Sequence, residues 1–97
     1  MAGKKSFYFT EHALDEIDND DLLIEDVMAA AATGEIIVSY ENDKPFPSFL
    51  KLGWSSAKTK YPVHVVCATD DADRIHIITA YKPDLNRWHK NFKTRKK

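Results

Sequence analysis

Two apolar runs separated by a short acidic turn constrain this chain more than any other feature. The runs, Pro62–Ala68 and Arg74–Tyr81, are rich in β-branched residues, and Thr69-Asp70-Asp71-Ala72-Asp73 joins them. A connection this short leaves no room for a crossover, so the runs must be antiparallel neighbours in a sheet. Strand alternation puts His64, Val66 and Ala68 on one face, with Val63, Val65 and Cys67 on the other. In the second run Ile75, Ile77, Thr79 and Tyr81 share a face, opposed by His76, Ile78 and Ala80. A register whose paired numbers sum to 143 or 145 sets His64 opposite Thr79 or Tyr81; a sum of 144 sets it opposite Ala80. Register stays open at this point, because a one-residue slip turns a whole strand over.

The elements before this hairpin follow from local chemistry. Ser6–Phe9 reads as an extended lead-in. Thr10 is a good N-cap, and Glu11 in the first turn complements the helix dipole. The helix that carries His12, Ala13, Leu14 and Ile17 ends in Asp18-Asn19-Asp20-Asp21, whose side chains compete for backbone groups. Ile24, Val27, Met28 and Ala31 repeat at helical spacing and predict a second helix, from Leu22 or Ile24 to Thr33, with Gly34 as a left-handed C-terminal residue. The period then changes: Glu35–Tyr40 and Ser48–Trp54 read as strands, the latter with Gly53 as a candidate bulge. After Pro83, Asp84 caps a short helical turn with Leu85, Trp88 and Phe92 as an apolar stripe, and a basic, frayed tail follows. The expected fold is α+β: a single domain over residues 1–97, with two N-terminal helices packed on one face of a four-stranded antiparallel sheet.

Charge is divided along the chain. Residues 1–50 hold three lysines against eleven acids, a net of −8, whereas residues 51–97 hold eleven lysines and arginines against four aspartates, a net of +7. Such asymmetry suits an anionic partner on one surface and repulsion or a basic partner on another; it also serves plain solubility. The single cysteine, Cys67, excludes an internal disulfide and reads as a small buried hydrophobe in a reducing, cytoplasmic setting. No Cys-x-x-Cys or paired Cys/His spacing suggests zinc, and no cofactor is expected. The N-terminal residues lack the apolar core of a signal peptide, and no apolar run is long enough to span a bilayer.

A histidine, a tyrosine and a threonine beside basic residues can serve phosphodiester cleavage. His64 would transfer a proton near neutral pH, Tyr81 would donate to a phosphate oxygen, and Lys82, Arg87, Lys90 or Lys93 would balance phosphate charge. RNA supplies its own nucleophile, the 2′-hydroxyl, so a base, an acid and a cation suffice. Each residue also has an ordinary reading. His64 can be a half-buried sheet residue. His12 can be a packing or capping residue in a helix turn that disfavours a cation. His76, on the other face, can be structural, and Trp54 and Trp88 can belong to the core. Asp70, Asp71 and Asp73 lack the glycine and distal glutamate of a calcium loop and read as turn residues. His89 has no obvious partner.

The ordered set Phe9-Thr10-Glu11-His12-Ala13-Leu14, Glu25-Asp26-Val27, Gly34-Glu35-Ile36-Ile37, Asp43-Lys44-Pro45, Pro62-Val63-His64-Val65-Val66 and Ile77-Ile78-Thr79-Ala80-Tyr81-Lys82-Pro83-Asp84, with Trp88 and Phe92 beyond, resembles the bacterial domain-of-unknown-function family 4258. The resemblance implies a RelE-like fold and a toxin of a toxin–antitoxin pair: a metal-independent endoribonuclease acting on mRNA, free or ribosome-bound, with a cognate antitoxin of zinc-finger type. It implies that the family's histidines correspond to His12 and His64, and its Thr-x-Tyr to Thr79 and Tyr81. One departure stands out. Where relatives carry arginines after the His-Ala-Leu of the first helix, this chain has Asp15-Glu16-Ile17-Asp18-Asn19-Asp20-Asp21. That motivates an alternative: a non-catalytic protein- or nucleic-acid-binding module. A third reading is a small-molecule-binding homodimer built on the exposed sheet face.

Overall fold

The computed structural model describes residues 6–58 and 60–94. Its elements run β1 (Phe7–Phe9), α1 (Glu11–Asn19), α2 (Ile24–Thr33), β2 (Glu35–Tyr40), β3 (Ser48–Trp54), β4 (Pro62–Thr69) and β5 (Ile75–Tyr81). The strands form one sheet in the order β1-β5-β4-β3-β2. This corrects the expected four-stranded antiparallel sheet. Phe7–Phe9 is a fifth strand, parallel to β5, with Phe7 opposite Ile75 and Phe9 opposite Ile77. The sheet is therefore mixed, and the class remains α+β. The cause is the Phe-x-Phe alternation, which lets Phe7 and Phe9 pack on the core while β1 pairs amide groups that the edge of β5 would otherwise leave open. The β2–β3–β4–β5 meander is antiparallel as expected.

Thr10 caps α1: its hydroxyl accepts from the Ala13 amide at 3.0 Å and donates to the Ile78 carbonyl at 2.9 Å, fastening the helix start to β5. Ala13 and Ile17 of α1 join Val27, Ala30 and Ala31 of α2 against Val63, Val65, Cys67, Ile75, Ile77 and Ala80 of the sheet. This is the core, and it lies on one sheet face. The buried stripe of α2 differs from the one expected: Ile24 is 43% exposed, and Asp26 and Ala30 are buried in its stead.

Both glycines named above have a packing role. Gly34 is extended (φ −67°, ψ 162°), not left-handed. A Cβ there would strike the Ala30 carbonyl oxygen and lie 2.8 Å from that of Leu52. Gly53 sits in unbroken register opposite Val63; a Cβ there would come within 2.5 Å of the Ala30 Cβ, so its bareness lets α2 seat on β3. The bulges lie elsewhere, between Ile36 and Val38 on β2 and at the β4–β5 pairing after Val66.

The β4–β5 irregularity decides the functional face. His64 pairs with Tyr81 and Val66 with Thr79, but Cys67 pairs with Ile77. Ile78 is the extra residue, and the face assignment of β5 changes across it. Ile75, Ile77 and Ala80 point into the helix-side core, while His76, Thr79 and Tyr81 share the opposite face with His64, Val66 and Ala68. The placement of His76 away from Thr79 and Tyr81 is thereby corrected.

The chain after β5 folds back over this second face. Asp84 Oδ1 accepts from the amides of Asn86 and Arg87, and the Trp88 amide bonds to the Asp84 carbonyl at 3.0 Å, closing one helical turn. Trp88 is buried, whereas Leu85 is 49% exposed, so the expected stripe reduces to Trp88 with half-buried Phe92. Lys93 and Thr94 are ordered against neighbours; the rest of the expected frayed tail, residues 95–97, lies outside the described residues.

Candidate active site

His64 is fully buried beneath the returning segment. Its Nε2 lies 2.7 Å from the Phe92 carbonyl oxygen and its Nδ1 lies 3.2 Å from the Tyr81 hydroxyl. A carbonyl only accepts, so Nε2 carries the proton and donates. Burial lowers the imidazole's pKa, and the Phe92 carbonyl opposes that only in part. The ring is therefore neutral, Nδ1 presents its lone pair, and the Tyr81 hydroxyl donates to it. Trp88 stands edge-on to the imidazole at 4.5 Å and Tyr81 at 5.3 Å, fixing its plane. Phe92 adopts a left-handed backbone (φ 58°), uncommon for a bulky side chain. Its ring meets Trp54 edge to face at 6.2 Å while its carbonyl reaches His64.

Tyr81 is half-buried and borders a cleft of about 290 Å³ lined by Val38, Tyr40, Leu50, Tyr81, Trp88 and Lys93. Lys93 reaches Glu35 at 3.0 Å on the rim. A phenol whose proton is held by a neutral imidazole, in a cleft with an ammonium at its edge, can pass a proton in either direction beside an anion.

The other sequence candidates fall elsewhere. Thr79 lies on the same face, one residue pair along from Tyr81 and opposite Val66. His12 is exposed on α1, in the helix layer, and no described hydrogen bond or ring contact joins it to His64 or Tyr81. Lys82 follows Tyr81 onto the helix side, where its ammonium sits 4.5 Å from the centre of the Tyr61 ring. Arg87 is exposed on the Asp84 turn. Lys90 borders a separate hollow with Leu85, Trp88, His89 and Asn91. Of the four proposed phosphate-balancing residues, Lys93 alone lines the Tyr81 cleft.

Two features escaped the sequence. One is Trp88 and the Phe92 carbonyl closing over His64, a long-range contact with no local signal. The other is a cluster at the β4–β5 turn. Asp70 is buried and accepts from the amides of Ala72 and Arg74, from Arg74 Nε at 2.7 Å and from His76 Nε2 at 2.8 Å. The His76 bond above all, then the backbone and guanidinium donors, hold its carboxyl well below the usual carboxylate range against the opposing effect of burial. The consecutive apolar pair Ile77-Ile78, which breaks strict alternation, was the one trace of the bulge that brings His76 to this face. Cys67 is buried, and burial raises its thiol pKa more than nearby Lys51 lowers it, which disfavours a thiolate nucleophile. None of the described helices is long and apolar enough to cross a membrane.

Residues 9–82 match the sequence profile of a family described as a domain of unknown function, DUF4258. No curated protein and no solved structure matches the chain.

Proposed function

The chain belongs to the DUF4258 family, and from the coupling of Tyr81 to a neutral His64 we propose that it is a RelE-like toxin, a metal-independent endoribonuclease on mRNA countered by a cognate antitoxin. The observation that carries this reading is the 3.2 Å contact between the Tyr81 hydroxyl and His64 Nδ1 at a cleft bordered by Lys93.

The chemistry runs as a proton relay. The RNA 2′-hydroxyl gives its proton to the Tyr81 oxygen as that oxygen gives its own proton to His64 Nδ1. The 2′-oxygen attacks phosphorus, and the bond from phosphorus to the 5′-oxygen breaks. The leaving 5′-oxygen takes a proton from Tyr81, which recovers one from His64. The products are a 2′,3′-cyclic phosphate and a 5′-hydroxyl, and the enzyme returns to its starting protonation. Lys93 offsets the charge that develops on the phosphoryl oxygens. The transient imidazolium is buried, which makes it a strong acid for the return step, and its Nε2–H bond to the Phe92 carbonyl steadies it. Tyr81 is the catalytic residue and His64 acts through it.

The acidic first helix is compatible with this reading. Asp15 and Asp18 are exposed on α1, in the layer across the sheet from the cleft, and Asp21 is exposed in the turn that follows it. Purified chain incubated with single-stranded RNA should yield fragments with cyclic-phosphate ends, and its expression without a partner should arrest growth. Intact RNA, both free and on ribosomes, together with normal growth, would refute the reading. A second reading, a non-catalytic RNA-binding module, is favoured by one fact: both ring nitrogens of His64 are already engaged. Binding that persists with no strand scission would select it.

A further inference from the structure

A second cleft lies on the same sheet face, about 320 Å³ in volume, walled by Pro45 and Phe46 of the β2–β3 loop and by His76 and Ile78 of β5. Two paired strand residues, Ala68 and His76, line it and belong to one row of the sheet. Tyr40 pairs with Ser48, Ser48 with Ala68, Ala68 with His76, and His76 with Tyr8. That row crosses all five strands with two small residues at its centre and aromatic rings toward its ends. Tyr8 is 49% exposed and stacks on the His76 ring at 5.5 Å and 23°.

The two clefts lie on one sheet face: Tyr40, which lines the Tyr81 cleft, begins the strand row that runs on to Ala68 and His76 in this one. Along β4, His64 to Ala68 spans about 13 Å at ~3.3 Å per residue, a distance that a short stretch of extended single strand covers. Polarity distinguishes what each cleft takes. The Tyr81 hydroxyl and Lys93 border the first. The second is walled mainly by the apolar Pro45, Phe46, Ala68 and Ile78, with the Asp43 carboxylate accepting from Ser48. A phosphate is disfavoured there, despite Lys44 on the rim, and an uncharged flat ring is favoured. Single strands are commonly held by bases stacked on aromatic side chains of a sheet.

We infer that the Phe46–Ala68–His76 cleft is a base-binding subsite, which seats one nucleobase of a single-stranded RNA whose phosphate lies in the Tyr81–Lys93 cleft. The inference rests on the RNA reading above for its ligand, and its test separates the two. The full chain is titrated against a fluorescent six-nucleotide 2′-O-methyl RNA, which cannot be cut, and anisotropy reports binding. Phe46→Ala should weaken binding about tenfold, the worth of one stacked base. Replacing single bases in turn by abasic residues should reveal one position whose loss weakens the wild type by the same factor and has no further effect on Phe46→Ala. The abasic series leaves the protein untouched, so the result does not depend on how the variant folds. Equal affinities for wild type and Phe46→Ala, an abasic penalty that is the same in both proteins, or no binding by the wild type would each overturn the subsite. Base-dependent binding without RNA cleavage would retain the subsite and refute the nuclease. Cleavage with no base dependence would do the reverse.

Discussion

At the scale of single residues, the account turns on the state of His64. Its neutral Nε2–H form follows from its partners: a carbonyl on one side, a hydroxyl on the other, and no exposed surface. Burial depresses its folded-state pKa below the unfolded value near 6.5. The unfolded chain therefore binds more protons in mildly acid solution, so the stability that neutral His64 contributes is present above about pH 6.5 and is lost as pH falls through the folded pKa. Urea unfolding between pH 7.5 and 5 should show this slope, and His64→Phe should flatten it. That variant should also lose about 2 kcal/mol at pH 7.5, because the Phe92 carbonyl and Tyr81 hydroxyl forfeit a buried partner. An unchanged slope would place the titration elsewhere. Asp70 gives a second sign test. Its depressed carboxyl contributes stability above its ordinary value near 4 that disappears as pH falls through its lower folded value. Asp70→Asn should be less stable than wild type at pH 7, and the difference should close in acid titration monitored by circular dichroism.

At the scale of elements, sequence and structure agree where the pattern is local and part company where it is not. α1 follows from the Thr10 cap, α2 from the helical spacing of its apolar residues, and the four-strand meander from the change of hydrophobic period at Glu35. Phe7–Phe9 failed to read as a strand because three residues carry little periodicity and their partner, β5, lies far along the chain. The face of His76 was misread because the bulge at Ile78 costs one residue of alternation and leaves a trace only in Ile77-Ile78. Gly53 looked like a bulge and is in fact a seat for α2, since a glycine's reason depends on what approaches it. That seat can be tested. Gly53→Ala should cost about 1–3 kcal/mol through overpacking against Ala30. Adding Ala30→Gly should recover part of that loss beyond the helix-propensity cost of the glycine, a coupling visible in a double-mutant cycle by denaturant melts. Strict additivity would show that the two sites do not meet.

At the scale of the whole molecule, the division of charge along the chain maps only in part onto the layers. The acids of α1 ride on the helix side and the cleft with Tyr81 and Lys93 opens on the other, yet Lys82 lies on the helix side and Glu35 and Asp43 on the cleft side. The sequence showed the division along the chain, but not the face each charge would take, because that is set by packing and by the return of the C-terminal segment over β4. RNA affinity should fall with salt, and Lys93→Met should lower the log–log slope by about 0.7, one single-strand phosphate contact. Asp15→Asn with Asp18→Asn should change affinity less than about threefold at physiological salt, given screening over about 8 Å. A large gain from that pair would mean that α1 faces the RNA. The proton relay itself is tested most directly by single-turnover cleavage of a short RNA by Tyr81→Phe, which keeps the ring and removes the hydroxyl. The account predicts a rate at least about a hundredfold below wild type, the usual contribution of a positioned acid–base group, with RNA affinity little changed and a melting temperature that falls because the buried His64 Nδ1 loses its donor. Cleavage at the wild-type rate would contradict it.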